Sequence, residues 1–196
     1  MVSPSTEIRG ATADEISHAV GTIVAAFITD PIARFAWPAP HEHLHGMALC
    51  AREMAGPSIE HRAALVTSDF RGAALWLPPD VHPDGDVFER IFRETIKADR
   101  LDDVLGTFEK MGESHPQEPH WYLPMIGVEP FAQGQGLGGE LMRRAVARCD
   151  KEGMLAYLES SNPRNISLYR RHGFEVMFEI RIGKAPVVTP MLRRPR

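Results

Sequence analysis

The chain has 196 residues, 43% hydrophobic and 24% charged, with 22 basic side chains against 26 acidic ones. That length can bury a full core as one domain, read here as 1–196, and is short for two. A net charge of −4 argues against nucleic-acid or anionic-membrane binding, which needs a concentrated basic surface.

The opening stretch "MVSPSTEIRGATADE" lacks a charged region followed by an apolar core, so it does not read as a signal peptide. No apolar run approaches the roughly 18 to 20 residues that span a bilayer. Cys50 and Cys149 lie far apart in no metal or redox spacing, and a cytoplasmic chain with two free thiols is the plain reading.

"TEIRGA" reads as a short strand. Thr12 as N-cap, with Glu15 three residues on, opens a helix carrying Ile16, Val20, Ile23, Val24 and Phe27 at helical spacing. It should end near Asp30-Pro31, because a residue before proline is pushed out of the helical region. A second helix is expected from about His41 to Ala55. "RAALVTSDFRGAALWLPPD" reads as two strands around "SDFRG", with Gly72 supplying the turn conformation. The charged segment from Asp86 to Glu113 has helical periodicity and gives one or two helices. "WYLPMIGV" is a strand, "LGGELMRRAVARCDKEG" a helix, "MLAYLE" a strand, "PRNISLYRRHG" a short helix, and the last twenty residues or so a strand pair. The result is a mixed α/β (α+β) order with no internal repeat or linker.

Gly134 to Gly139 fit G-x-G-x-x-G letter for letter, and Glu159 follows twenty residues later, where a dinucleotide site places its ribose-binding acid. A nicotinamide-dependent oxidoreductase is therefore one reading. Against it, five residues separate Val128 from the first glycine, too long for a turn that must follow its strand at once. Only one strand-helix-strand unit is visible as well. A longer loop can instead wrap a phosphate with consecutive backbone N–H groups, backed by the positive end of the next helix.

The pattern Gln133-x-x-Gly136-x-Gly138, preceded by Val128-x-Pro130, resembles the pyrophosphate loop of the GNAT N-acetyltransferases. "LESSNPRNISLYRRHGFEV" is similar to that family's second cofactor segment, on Asn162, Asn165, Tyr169, Gly173 and Phe174. The likeness covers most of the chain and extends to the puromycin-type acetyltransferases. It gives out in "ITDPIARFAWPAPHEHLHG", where no motif matches.

The resemblance implies a central, mostly antiparallel twisted sheet with a splayed parallel strand pair, flanked by helices. It also implies acetyl-CoA as acetyl donor, a small amine acceptor, and a monomer or homodimer. Gln133, Gly134, Gly136, Leu137, Gly138 and Gly139 would hold the pyrophosphate, and Ile126 and Val128 would pair by backbone with the pantetheine arm. Asn165 would bond the cofactor arm, and Asn162 would either do the same or cap the helix starting near Pro163. Tyr169 is the expected general acid for the leaving thiolate, with a core tyrosine as the plainer alternative. Glu159 and His120 are rival general bases. The cluster "HEHLH" invites a metal reading, but only His41 and His45 would share a helical face, so no metal is expected. A cofactor-binding sensor without catalysis is the remaining rival.

Overall fold

The computed structural model describes residues 7–196. The first six, which carry the leader reading and the start of the first expected strand, lie outside the described residues.

Among the described residues seven strands form one sheet in the order β1-β2-β3-β4-β5-β7-β6. They are β1 (Ile8–Gly10), β2 (Leu65–Thr67), β3 (Gly72–Leu77), β4 (His120–Val128), β5 (Leu155–Ser160), β6 (Glu175–Val176) and β7 (Thr189–Arg193). All neighbours are antiparallel except β4 and β5. Among the described residues the α-helices that accompany them are α1 (Ile16–Ala26), α2 (Pro31–Ala36), α3 (Pro40–Glu60), α4 (Gly85–Thr95), α5 (Ala98–Glu113), α6 (Leu137–Glu152) and α7 (Ile166–Arg171). This is the mixed order of elements expected, arranged as the helix-flanked twisted sheet that the resemblance implies.

Strand alternation divides the core in two. On one face Val66, Leu75, Leu77, Tyr122, Met125 and Tyr157 pack under α1 to α5. On the other, Trp76, Trp121, Leu123, Leu158 and Met191 pack under Leu141, Met142 and Val146 of α6 and Tyr169 of α7. The end of α1 presses closely on β4: a Cβ at Gly127 would stand 2.3 Å from that of Ala26.

Three details differ from the sequence expectation. Pro31 begins α2 rather than merely ending α1; Asp30 caps it by accepting the Ala33 N–H at 3.0 Å. A missing proline N–H costs nothing at a first helical position. In the β2–β3 turn the left-handed residue is Phe70, at φ 55°. Gly72 instead begins β3, where a Cβ would crowd Leu141 and Thr67 at 3.1 and 3.2 Å. The C-terminal strands are short, and Ile180 and Val188 add only an isolated bridge beyond them.

The end of α6 is locked to β7 by one buried ion pair. Arg193 is 3% exposed and donates through both terminal nitrogens to the two Asp150 oxygens, at 2.8 Å each. Its Nε donates to the His172 carbonyl at 2.8 Å. Asp150→Ala should lower unfolding free energy by about 3 kcal/mol in urea titration, because it strands a buried cation. The guanidinium holds the Asp150 carboxyl below its ordinary value of 3.8. A depressed acid contributes stability above its unfolded pKa and loses it as pH falls through the folded one. The gap between wild type and variant should therefore narrow below about pH 4.

Candidate active site

The site begins where two strands part. β4 and β5 pair in parallel from His120↔Leu155 to Leu123↔Leu158. Pro124 comes next and offers no N–H to a ladder, and beyond it the strands diverge.

On its other side β4 stays with β3, but the register slips: Tyr122 faces Leu77 while Met125 faces Leu75. The extra β4 residue is a bulge, and it reverses the alternation. Before the bulge Trp121 and Leu123 face the α6 layer; after it Ile126 and Val128 do. Glu129 N–H bonds the Arg71 carbonyl of the β3 side at 2.8 Å. Alternation then turns the N–H groups of Val128 and Ile126 away from β3, into the gap. The Val128 carbonyl is already taken by the Gln133 side chain, whose Nε2 donates to it at 3.0 Å.

The glycine loop closes one end of this gap. Gly134 and Gly136 have φ of 76° and 88°, conformations that cost other residues energy. Glu140 N–H to Gly136 carbonyl, 3.0 Å, is the first intrahelical bond of α6. The N–H groups of Leu137, Gly138 and Gly139 thus lie in the first turn, which lacks acceptors of its own. Outside its own helix, a Cβ at Gly138 or Gly139 would meet nothing nearer than 3.7 Å. Packing within the protein does not account for glycine there, and a bare helix N-terminus leaves room for a phosphate to approach closely. Arg164, Arg171 and His172 line the same cleft, and the sequence reading did not single them out.

Tyr169, Asp30 and the asparagines occupy the other wall. Tyr169 is 6% exposed, lines the cleft and meets Phe174 edge-on at 6.3 Å. Burial, then the nearby Asp30 charge, pushes its pKa above the ordinary 10, while Asn165 works the other way. Asn165 is exposed along the cleft. Asn162 caps the turn after it, its Oδ1 accepting the Arg164 N–H at 3.1 Å. Asp30 also accepts a hydrogen bond from the Ser161 hydroxyl, and burial raises its pKa.

Glu159 sits at the end of the β4–β5 opening with its side chain 1% exposed, and its Oε1 has no hydrogen-bond partner. His115, absent from the sequence expectation, brings Nε2 to 3.4 Å from that oxygen. The other ring nitrogen of His115 lies 3.0 Å from His120 Nε2. His120 Nδ1 faces the Glu118 carbonyl at 2.8 Å. A carbonyl only accepts, which assigns the proton to His120 Nδ1 and makes its Nε2 the acceptor for His115. The two expected bases are thus joined through one ring. Burial first, then His115, pushes the His120 pKa below 6.5, which favours its neutral form.

Three hollows meet around these groups. The main cleft, about 560 Å³, contains every expected site residue except His120. A second cavity of about 80 Å³ shares Phe27, Asp30, Pro124, Glu159 and Ser161 with it. His115 and His120 border a third, on the far side of Tyr122. The "HEHLH" histidines do not converge: His41 and His45 are exposed, and His43 is buried beside the Val24 carbonyl at 3.3 Å. Among the described residues no group of three or more His, Cys, Asp or Glu could hold a metal ion.

The Acetyltransferase (GNAT) family model matches residues 79–174, from the end of β3 through the glycine loop to Phe174. An uncharacterized N-acetyltransferase of Schizosaccharomyces pombe is 26% identical over 206 aligned positions, 93% of this chain and 81% of that one. A Corynebacterium glutamicum crystal structure, described as histone acetyltransferase HPA2 and related acetyltransferase, superposes with a TM-score of 0.72. It is 24% identical over 98% of both chains. A Drosophila melanogaster polyamine N-acetyltransferase superposes at 0.65, with 14% identity over 97% of this chain and all of that one. The chain thus shares its fold with these acetyltransferase structures, and its sequence over residues 79–174 resembles the Acetyltransferase (GNAT) family. No helix among the described residues is long and apolar enough to cross a membrane.

Proposed function

We propose that the chain is a single-domain, cytoplasmic N-acetyltransferase that moves the acetyl group of acetyl-CoA directly to a primary amine of a small molecule in a ternary complex. One observation carries the reading: a cleft with the glycine loop at one end, Glu159 and Tyr169 toward the other, and unpaired β4 N–H groups between. The loop N–H groups would take the pyrophosphate, Ile126 and Val128 the pantetheine arm, and Asn165 a polar group along it. The fold shared with a polyamine N-acetyltransferase supports a small-molecule amine.

In the reaction the neutral amine attacks the thioester carbonyl, an N–C bond forms and the C–S bond breaks. Glu159 takes the proton that the amine nitrogen loses, and the hydrogen-bonded His115–His120 pair offers that proton a path to the third hollow. The Tyr169 phenol gives its proton to the departing thiolate, whose own pKa lies lower. A covalent acyl-cysteine route is disfavoured. Both thiols are buried, and burial pushes each up to about 12, which leaves almost no thiolate at neutral pH.

Two measurements test the proposal. Acetyl-CoA at 100 times its dissociation constant should stabilise the fold by about 2.7 kcal/mol in a thermal melt, and NAD should not. Thiol release from acetyl-CoA should then appear with amines and not without them. Stabilisation by NAD alone would return the glycine loop to the oxidoreductase reading. Stabilisation by acetyl-CoA with no release across a broad amine panel would favour a sensor.

A further inference from the structure

From the walls of the second cavity we infer that the acceptor is a compact primary monoamine with an apolar body, aromatic or branched alkyl, and no second cationic or polyhydroxyl end. This deepens the acetyl-transfer reading and rests on it.

The cavity opens onto the cleft at Asp30, Glu159 and Ser161, and its polarity is gathered at that mouth. Tyr122 belongs to the same end, since the Glu159 charge bears on its phenol. Deeper in, the walls are Trp37, Met47, Phe88, Phe92, Phe108 and Met111, with smaller apolar neighbours. The Trp37 N–H is already donated to the Thr95 hydroxyl at 3.0 Å. Cys50 is the one other lining side chain with a polar atom; it is 3% exposed, and burial holds its thiol protonated.

An amine entering from the cleft meets its counter-charges at once. Asp30 is committed, one oxygen to the Ala33 N–H and the other to the Ser161 hydroxyl. Glu159 is less so: the Tyr122 and Tyr157 phenols act on its carboxylate and His115 Nε2 lies 3.4 Å from Oε1, yet that oxygen completes no hydrogen bond. An ammonium or amine nitrogen supplies the hydrogen bond that this oxygen lacks. The rest of the molecule must then lie against carbon and sulfur. A second ammonium there would be buried without a partner, which proteins do not tolerate cheaply.

Size narrows the class further. At roughly 10 to 15 Å³ of such volume per water-sized group, about 80 Å³ holds five to eight heavy atoms. A phenyl ring or branched alkyl chain fills that space, while an aminoglycoside or a nucleoside antibiotic overfills it.

The test is thiol release by the full chain with acetyl-CoA and either phenethylamine, cadaverine or kanamycin. Phenethylamine should exceed cadaverine in kcat/KM by about 100-fold or more, because a site with no partner for a polar group discriminates strongly. Met111→Glu puts a carboxylate among the apolar walls. It should lower kcat/KM for phenethylamine and raise it for cadaverine by about 10-fold, whereas Met111→Gln should not raise the latter. Retained stabilisation by acetyl-CoA shows that each variant is folded.

Equal or better use of cadaverine or kanamycin by the wild type would overturn the inference and leave the acetyl-transfer reading intact. If no amine releases thiol, that reading fails for the panel, and binding decides the inference. Phenethylamine must then still raise the melting temperature of the acetyl-CoA complex; no shift, or a larger one with cadaverine, overturns it.

Discussion

Replacing Glu159 by glutamine should lower kcat/KM by about 10² to 10⁴-fold, the range over which a positioned proton acceptor contributes. The amide keeps the shape of the side chain and removes both its charge and its basicity. Acetyl-CoA stabilisation in a thermal melt should change little, because the glycine loop lies at the other end of the cleft. The pH profile makes the result specific. In the wild type kcat/KM should fall toward acid, as the acceptor amine is held protonated and cannot attack. The variant should be slow throughout and recover in part toward alkaline pH, where more of the amine is already neutral. A variant within threefold of wild type at pH 7 would remove Glu159 from the reaction and leave water or His115 as acceptor.

Tyr169→Phe should reduce kcat by about 10² to 10⁴-fold, with the acetyl-CoA dissociation constant nearly unchanged. Only the hydroxyl is lost, and the ring contact with Phe174 survives. Burial raises the phenol above its ordinary pKa of 10, so it remains a proton donor at every pH where the fold is tested. The kcat profile of the wild type should accordingly show no alkaline decline below about pH 10. Unchanged turnover in the variant, or a clear decline near pH 8 in the wild type, would reassign Tyr169 to the core.

The glycine loop was legible because glycine marks backbone geometry: Gly134 and Gly136 answer to positive φ, and Gly138 and Gly139 leave the start of α6 uncovered. Strand and helix periods likewise located most of the sheet. Asp30 was not legible as a cleft residue. Capping a helix and bordering a cavity ask for the same carboxylate, and Pro31 reads as an ending as easily as a beginning. His115 precedes Pro116 in a loop where no periodicity applies, so nothing local links it to Glu159, 44 residues away. The second cavity hides for a third reason. Its walls come from several helices that each lend one to a few apolar residues, and such residues are indistinguishable in sequence from the core they join.

The parting of β4 from β5 also has a bearing on how the protein survives without its ligand. Unpaired strand N–H groups form a sheet edge, and an open edge invites another chain to add itself. Here the edge lies inside a cleft rather than along the rim, and Gln133 already occupies the carbonyl of Val128. A passing strand would find one carbonyl of the hydrogen-bonding pattern already taken. The same lock that leaves Val128 a donor for one extended ligand thus makes the site a poor seed for aggregation.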